Sequence, residues 1–246
     1  MKRSCKVDFD TNKIQAHVPL ENSLMSVAPP ERLIPRRKSR QARSMATVDA
    51  IFEATIQVLL VDGPVRLTTT HVAERAGVSV GTLYQYFPHK EALFYGLNER
   101  YLDVLADKVA SACEAQRGAP LAQMVEALVT TYWRAKTERA EVTRVLYRSV
   151  AELDNTALLA AFSRRVDAAT EAMFASACDA AFDDLPTVNL MLLTTIFGTV
   201  RNIFERALSD AEGRALHAQL SVMCLAYLET VRVTRRSVPA AAASAD

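Results

Sequence analysis

The chain has 246 residues, of which 50% are hydrophobic, and a formal net charge of +1. It can therefore bury a substantial core in one or two domains and is no global polycation, while only seven glycines leave little room for a glycine-rich phosphate loop. Its four cysteines, Cys5, Cys113, Cys178 and Cys224, form no C-x-x-C pair, which argues against a zinc finger or disulfide framework and fits a reducing cytoplasm.

Residues 1–38 are mixed and polar, interrupted by Pro19, Pro29, Pro30 and Pro35, and read as a disordered leader. Lys2, Arg3 and Lys6 have no apolar run behind them, so no signal peptide is expected. Met25 and Met45 are alternative starts, and a start at Met45 would remove the basic cluster Arg32, Arg36, Arg37, Lys38, Arg40 and Arg43. Such a cluster is either a nucleic-acid arm or a solvated tail. Residues 40–62 follow as a first helix, with Val48, Ile51, Phe52, Thr55, Ile56 and Leu59 on one side and Asp62-Gly63-Pro64 as the stop. Its N-terminal end would carry Arg40 and Arg43 towards phosphate.

Residues 67–94 then read as two short helices joined by a tight turn. Thr68 suits an N-cap, Val72, Ala73 and Ala76 give a small apolar face, and Gly77 suits a left-handed helix exit. Ser79 can cap the second helix, where Leu83 and Phe87 face inward four apart, and Pro88 ends it. A further helix restarts near His89 or Lys90, with Leu93 and Phe94 on its apolar side. This is the layout of a helix-turn-helix, which can lay its second helix in a DNA major groove. It is equally the layout of an ordinary helical hairpin with a polar outer face.

The expected outward groups suit DNA. Thr82, Tyr84, Gln85, Tyr86, His89 and Lys90 are the candidate contacts, with Thr69, Thr70, Ser79, Val80 and Gly81 as neighbours and Arg40 and Arg43 on the arm. Gln85 and Thr70 are the choices for base edges, since Gln pairs two-pronged with adenine; Tyr84 and Lys90 are the choices for phosphate.

At these residues the chain resembles the TetR/AcrR family of bacterial transcriptional regulators, whose pattern runs roughly T-x-x-x-I-A-x-x-A-G-V-S-x-G-T-L-Y-x-Y-F-x-x-K-x-x-L. Here it stands as Thr68, Val72, Ala73, Ala76, Gly77, Val78, Ser79, Gly81, Thr82, Leu83, Tyr84, Tyr86, Phe87, Lys90 and Leu93, with Val72 in place of isoleucine as the soft departure. The resemblance implies an all-α regulator: a three-helix DNA-binding head (39–98), a ligand-binding and dimerisation body (99–236) and a short disordered tail (237–246).

From Glu91 the apolar pattern continues through Tyr95, Leu97, Tyr101, Leu102, Leu105 and Val109 to about Cys113, then breaks at Gly118, Ala119 and Pro120. One long helix would link head to body, and the resemblance implies that it is the lever between ligand pocket and DNA. The body reads as helical segments 121–137, 139–151, 155–182, 186–208 and 210–236, without period-two runs. Its longest strongly apolar run, Leu190–Val200, is short for a bilayer and is interrupted by Thr194, Thr195 and Gly198. No membrane role is expected.

Leu216, Leu220, Met223, Tyr227 and Val231 recur at helical spacing, while Val222, Leu225 and Leu228 widen that apolar face. One stripe serves the chain's own core; the surplus suits a four-helix seam between two subunits. The resemblance implies the same dimer interface. Tyr132, Trp133, Tyr147, Phe162, Phe174 and Phe197 are core aromatics or the lining of a pocket, and the resemblance implies a pocket for a small apolar or amphipathic ligand. Tyr132, Trp133, Tyr147, Phe162 and Phe197 are its candidate walls.

No catalytic pattern stands out. His17, His71, His89 and His217 lack metal-ligand spacing, and there is no nucleophile elbow, Walker loop or dinucleotide fingerprint. The reading is a cytoplasmic, non-enzymatic regulator without cofactor or metal: a homodimeric repressor on a near-palindromic double-stranded operator, released by a small molecule. Alternatives are an activator or partner-recruiting regulator without such a ligand, and a nonspecific DNA-organising protein.

Overall fold

Small polar caps and left-handed glycines cut the first part of the chain into short helices. The computed structural model describes residue 30, residues 42–149 and residues 153–233. Apart from Pro30, the leader lies outside the described residues, as do the tail and Arg40, and Arg43 is described only as helical backbone. Helix α1 (Ala42–Arg66) is regular up to Asp62, where Gly63 takes φ 75° and ψ 171° and Pro64 follows; one further turn lies beyond the kink. Helix α2 (Thr69–Ala76) starts where Thr68 Oγ1 accepts the His71 amide at 3.2 Å. It ends at Gly77 in the left-handed region (φ 68°, ψ 29°). Helix α3 (Val80–Tyr86) is capped by Ser79 Oγ, which accepts the Thr82 amide at 2.9 Å. Beyond Pro88, His89 Nδ1 accepts the Ala92 amide at 3.2 Å and opens α4 (Lys90–Ala115). Each cap satisfies a donor that the helix start leaves without a partner.

The body holds α5 (Leu121–Thr137), α6 (Ala140–Ser149), α7 (Thr156–Ala175), α8 (Leu185–Glu205) and α9 (Asp210–Val231). Among the described residues the fold is all-α, with one isolated antiparallel bridge between Ala181 and Val233. Helix α7 stops seven residues short of the expected 182. Ser176 explains the stop: its hydroxyl donates to the Met173 carbonyl at 2.6 Å and accepts the Gly118 amide at 2.9 Å. Asp179 Oδ1 accepts the Leu121 amide at 2.8 Å, so this segment is stitched to the α4–α5 turn instead of continuing the helix. Helix α9 opens with a reciprocal capping box between Ser209 and Glu212.

Two apolar clusters form the interior. One joins α4, α5, α7, α8 and α9 around Leu128, Val166, Phe174 and Ile196; the other joins α1, α2, α3 and the start of α4 around Ile51, Leu83, Phe87 and Leu93. Val142 and Leu146 of α6 belong to the second cluster, so the head's core includes a body helix. Tyr101 and Leu153 pack against both.

The short apolar run Leu190–Val200 lies within a longer apolar helix. Residues 44–66 and 185–205 are long and apolar enough to cross a bilayer by length and hydropathy. In the fold both serve as packed helices, with Ile51 and Val58 of the first and Leu193, Ile196 and Val200 of the second in the two cores.

Gly77 has open space where a Cβ would stand, so its left-handed backbone is its one constraint. Gly77→Ala is expected to destabilise the protein by about 1–2 kcal/mol in urea unfolding.

Candidate nucleic-acid interface and body cavities

Helix α3 has so few turns that its period assigns each residue a face. Leu83 and Tyr86 are buried, Gly81, Tyr84 and Gln85 are exposed, and Val80 and Thr82 lie between. Tyr86 therefore does not face outward as the sequence reading expected. It is 6% exposed, its ring sits in the head cluster, and its hydroxyl lies 3.0 Å from Ser44 Oγ of α1. Positions 83, 86 and 87 share one side of the helix and are all buried in the head cluster, Tyr86 and Phe87 against α1.

Ser79 and Thr82 are also engaged with each other, their hydroxyl oxygens 2.8 Å apart. Tyr84 is 40% exposed, with its hydroxyl 3.0 Å from Thr69 Oγ1, a bond that ties α3 to the start of α2. Thr70 and Gln85 are exposed beside this pair. Lys90 is turned back into the protein. Its ammonium donates to the Pro64 carbonyl at 3.3 Å and stands 5.9 Å from the Phe94 ring centre. His89 is partly occupied as the α4 cap, with Nδ1 also 3.1 Å from Glu91 Oε2. The surface left by these contacts is Thr69, Thr70, Gly81, Tyr84 and Gln85.

In the body, Tyr132 stacks on Phe197 with centroids 4.3 Å apart, Phe162 lies 5.7 Å from Phe197, and Tyr147 meets Phe204 edge-on at 5.8 Å. Trp133 is apart from them, packed 4.9 Å from the His217 ring. Of the five expected pocket residues, Tyr132, Phe162 and Phe197 come together as a packed stack. None of the five lines either cavity described next.

An open cleft of about 510 Å³ runs between α4 and α5, with Asp107, Lys108, Arg134 and Glu138 on its rim. A narrower chamber of about 210 Å³ continues inward and shares Val104, Lys108, Ala135 and Glu138 with the cleft. The chamber reaches Ile56 of α1, Tyr101 and Leu105 of α4, and Val142 and Thr143 of α6. It thus lies where body meets head.

Behind Tyr101 is a residue that the sequence reading passed over. Lys136 is 3% exposed, and its ammonium lies 4.6 Å from the Tyr101 ring centre, 5.0 Å from Tyr147 and 5.8 Å from Tyr132. No carboxylate among the described residues pairs with it. The signal was present in the sequence: Lys136 follows Tyr132 by four on the stripe Leu121, Val125, Leu128 and Tyr132. Thr143 Oγ1 donates to the Lys136 carbonyl at 2.8 Å, which leaves the Tyr101 hydroxyl to donate to Thr143 at 2.9 Å. Burial lowers the Lys136 ammonium to about 7, and burial raises the Tyr101, Tyr132 and Tyr147 hydroxyls. Burial likewise pushes the Cys113 and Cys224 thiols up to about 11, so both stay neutral. No group of three or more His, Cys, Asp or Glu among the described residues could hold a metal ion.

The expected dimer stripe divides differently from the sequence reading. Leu220 is buried in the chain's own core beside Cys224 and Leu228, while Leu216, Tyr227 and Val231 are half-buried. The exposed apolar side is Val222 and Met223 on α9, 62% and 49% exposed, with Leu190 and Met191 on α8 at 50% and 53%. Leu220, Cys224 and Leu228 recur at spacings of four along one face, and α5 covers that face.

The folded Lys136 gives up its proton near pH 7, whereas the unfolded side chain holds it to about 10.4. The unfolded state therefore binds more protons between those values, and stability rises with pH across that window. Lys136→Met removes this pH dependence. Its stability advantage over the natural chain should be largest below pH 7 and shrink by roughly 1.4 kcal/mol per pH unit above it, read from urea unfolding.

Two family models match the chain. Residues 51–96 match the family model "Bacterial regulatory proteins, tetR family", and residues 120–228 match "Tetracyclin repressor-like, C-terminal domain". Together they cover well over half the chain. The nucleoid occlusion factor SlmA of Haemophilus ducreyi is 32% identical over 96 residues, 39% of this chain and 46% of that protein. The chain thus spans less than half the length of the curated relatives it matches. A TetR transcription regulator from Haloarcula marismortui shares the fold with a TM-score of 0.58 at 19% identity, covering 77% of this chain and all of the other. A SmeT–triclosan complex does so with a TM-score of 0.57 at 18% identity, covering 78% and 93%.

Proposed function

The chain belongs to the TetR family of bacterial regulatory proteins, and from that premise we propose that it is a homodimeric, cytoplasmic repressor released from a near-palindromic operator by a small molecule. In this reading residues 39–98 form the DNA-binding unit and residues 99–236 the ligand-binding and dimerisation unit. The observation that carries it is the outer face of the helix-turn-helix. Thr70, Tyr84 and Gln85 present hydroxyl and amide groups on one surface, while Leu83, Tyr86 and Phe87 hold α3 rigidly from behind. Gly81 supports this reading, because an added Cβ would meet Ser79 Oγ at an ordinary 3.8 Å. The head's own packing does not require glycine there; close approach of the backbone to DNA does. Gln85 and Thr70 would read base edges, and Thr69 and Tyr84 would hold phosphate. Lys90 and His89 would join once their present contacts yield.

Leu190, Met191, Val222 and Met223 would form the seam with a second copy, giving a four-helix interface. Two heads then sit one DNA turn apart. Release would pass through α6, whose Val142 and Leu146 belong to the head cluster while its Thr143 faces the chamber. A ligand favouring a different α6 position would thereby favour a head spacing that no longer fits the operator. A protein of the same fold solved with triclosan supports a small-molecule ligand for this chain. The nucleoid occlusion factors, similar over 39% of this chain in the case of the Haemophilus ducreyi protein, favour a second reading: a DNA-bound protein that acts through a partner, or by organising DNA, and needs no ligand.

Selection of bound fragments from random DNA at near-physiological salt tests the proposal. An enriched inverted repeat supports it; retention without sequence preference and with a steep salt slope favours the organising protein. On a recovered operator, Gln85→Ala should relax preference at one half-site position at a cost of about 1–3 kcal/mol, whereas Tyr84→Phe should weaken all sequences alike. Met191→Asp with Met223→Asp should yield helical monomers by light scattering, because an interface cannot cheaply bury unpaired carboxylates. A persistent dimer places the seam elsewhere.

A further inference from the structure

The buried ammonium of Lys136 is unusual in its surroundings. Removing a charge from water costs several kcal/mol unless a counter-charge or hydrogen bonds compensate. Three tyrosine rings compensate in part through their negative faces. A methionine would fill much the same volume without that cost. The groups around Lys136 are Tyr101 from α4, Tyr132 from its own helix, Tyr147 and Thr143 from α6, and, acting on those tyrosines from α8, Arg201 and Glu205. Arg201 and Glu205 pair with each other. At the chamber mouth, Lys108 pairs with Glu138, and Arg139 with Glu53. The positive charge within has no such partner among the described residues.

A way in exists beside it. Tyr101 and Thr143 line the chamber, and the same Tyr101 ring that forms this part of its wall has the Lys136 ammonium 4.6 Å from its centre. One hydroxyl–hydroxyl bond, from Tyr101 to Thr143, holds that wall shut. We propose that the body binds a compact aromatic carboxylic acid, its carboxylate paired with Lys136 once Tyr101 turns aside and its ring in the chamber between α1, α4, α5 and α6. This rests on the reading of the body as a small-molecule site. Chamber size limits the ligand, since drug-sized molecules fill larger pockets. Charge selects an acid over a neutral ring, and the single ammonium suits a monoanion better than a phosphate, which needs several donors. Apolar walls from Ile56, Leu105 and Val142 take the ring. Since Val142 also belongs to the head cluster, occupancy bears on the head directly.

Isothermal titration calorimetry of the full chain with benzoate, 2-naphthoate and the neutral 2-naphthamide tests this. Near pH 6.5 at least one acid should bind, and 2-naphthoate should bind at least about tenfold more tightly than the amide. Pairing holds the proton on Lys136, so binding near pH 8 should take up close to one proton, read as a dependence of the heat on buffer ionisation enthalpy. Affinity should fall as pH rises above 7. Lys136→Met, with unchanged helical circular dichroism, should lose both the preference for the acid and the proton uptake. The proton count needs no variant, so it decides the matter even if Lys136→Met fails to fold. Absence of binding by both acids, equal affinity for acid and amide, no proton uptake, or a preference that survives in Lys136→Met would each overturn the proposal. Operator binding is measured separately. A protein that binds its operator but no acid loses this inference and keeps its regulatory reading, whereas acid binding without effect on DNA removes the coupling alone.

Discussion

Helix α6 has to satisfy two cores at once, and the arrangement of the protein depends on that. Val142 and Leu146 complete the apolar interior of the head, while Tyr147 packs against the body. With both faces taken, α6 cannot shift relative to one core without disturbing the other. Packed interiors respond to such demands by moving between discrete arrangements more readily than by stretching. The chamber opens at this seam, bounded by α6 on one side and by Ile56 of α1 on another. An event there acts on the joint itself.

The head was largely legible in the sequence because its signals are local. Thr68, Gly77 and Ser79 act on their own neighbours, and a cap or a left-handed glycine performs the same physical task in any tertiary setting. Tyr86 was misread because its polar tip suggested solvent. The helical period places it with Leu83 and Phe87, and a tyrosine can bury its ring if its hydroxyl finds a partner, here Ser44. In the body, helices were visible as periodic segments but their mutual arrangement was not. Leu220 and Met223 lie on one apolar helix, and only the position of α5 makes one core and leaves the other exposed. The same gap hid the cavities: aromatic residues mark where mass is packed, and Tyr132 and Phe197 fill space instead of lining it. Lys136 was readable as a charge on an apolar stripe. Its three rings come from three helices, a convergence that no single stretch of sequence contains.

The three-tyrosine cage also separates two roles that polar residues take in an interior. Thr143 and Tyr101 spend their hydroxyls within a closed chain of hydrogen bonds that ends on the Lys136 carbonyl, and this fixes where α4, α5 and α6 meet. The ammonium on the same residue takes no part in that chain. Backbone and side chain of Lys136 thus serve different ends, the first structural and satisfied, the second charged and held only by rings.

Helix α4 carries a geometric consequence. Its 26 residues span about 39 Å. Over that length a tilt of about 5° displaces the far end by roughly 3.4 Å, the rise of one base step along a strand of B-form DNA. Two copies arranged about a twofold axis would double the change in separation. A body that yields by only a few degrees would therefore put its heads out of step with the duplex by whole base pairs, so no large rearrangement is needed for the chain to lose its place on DNA.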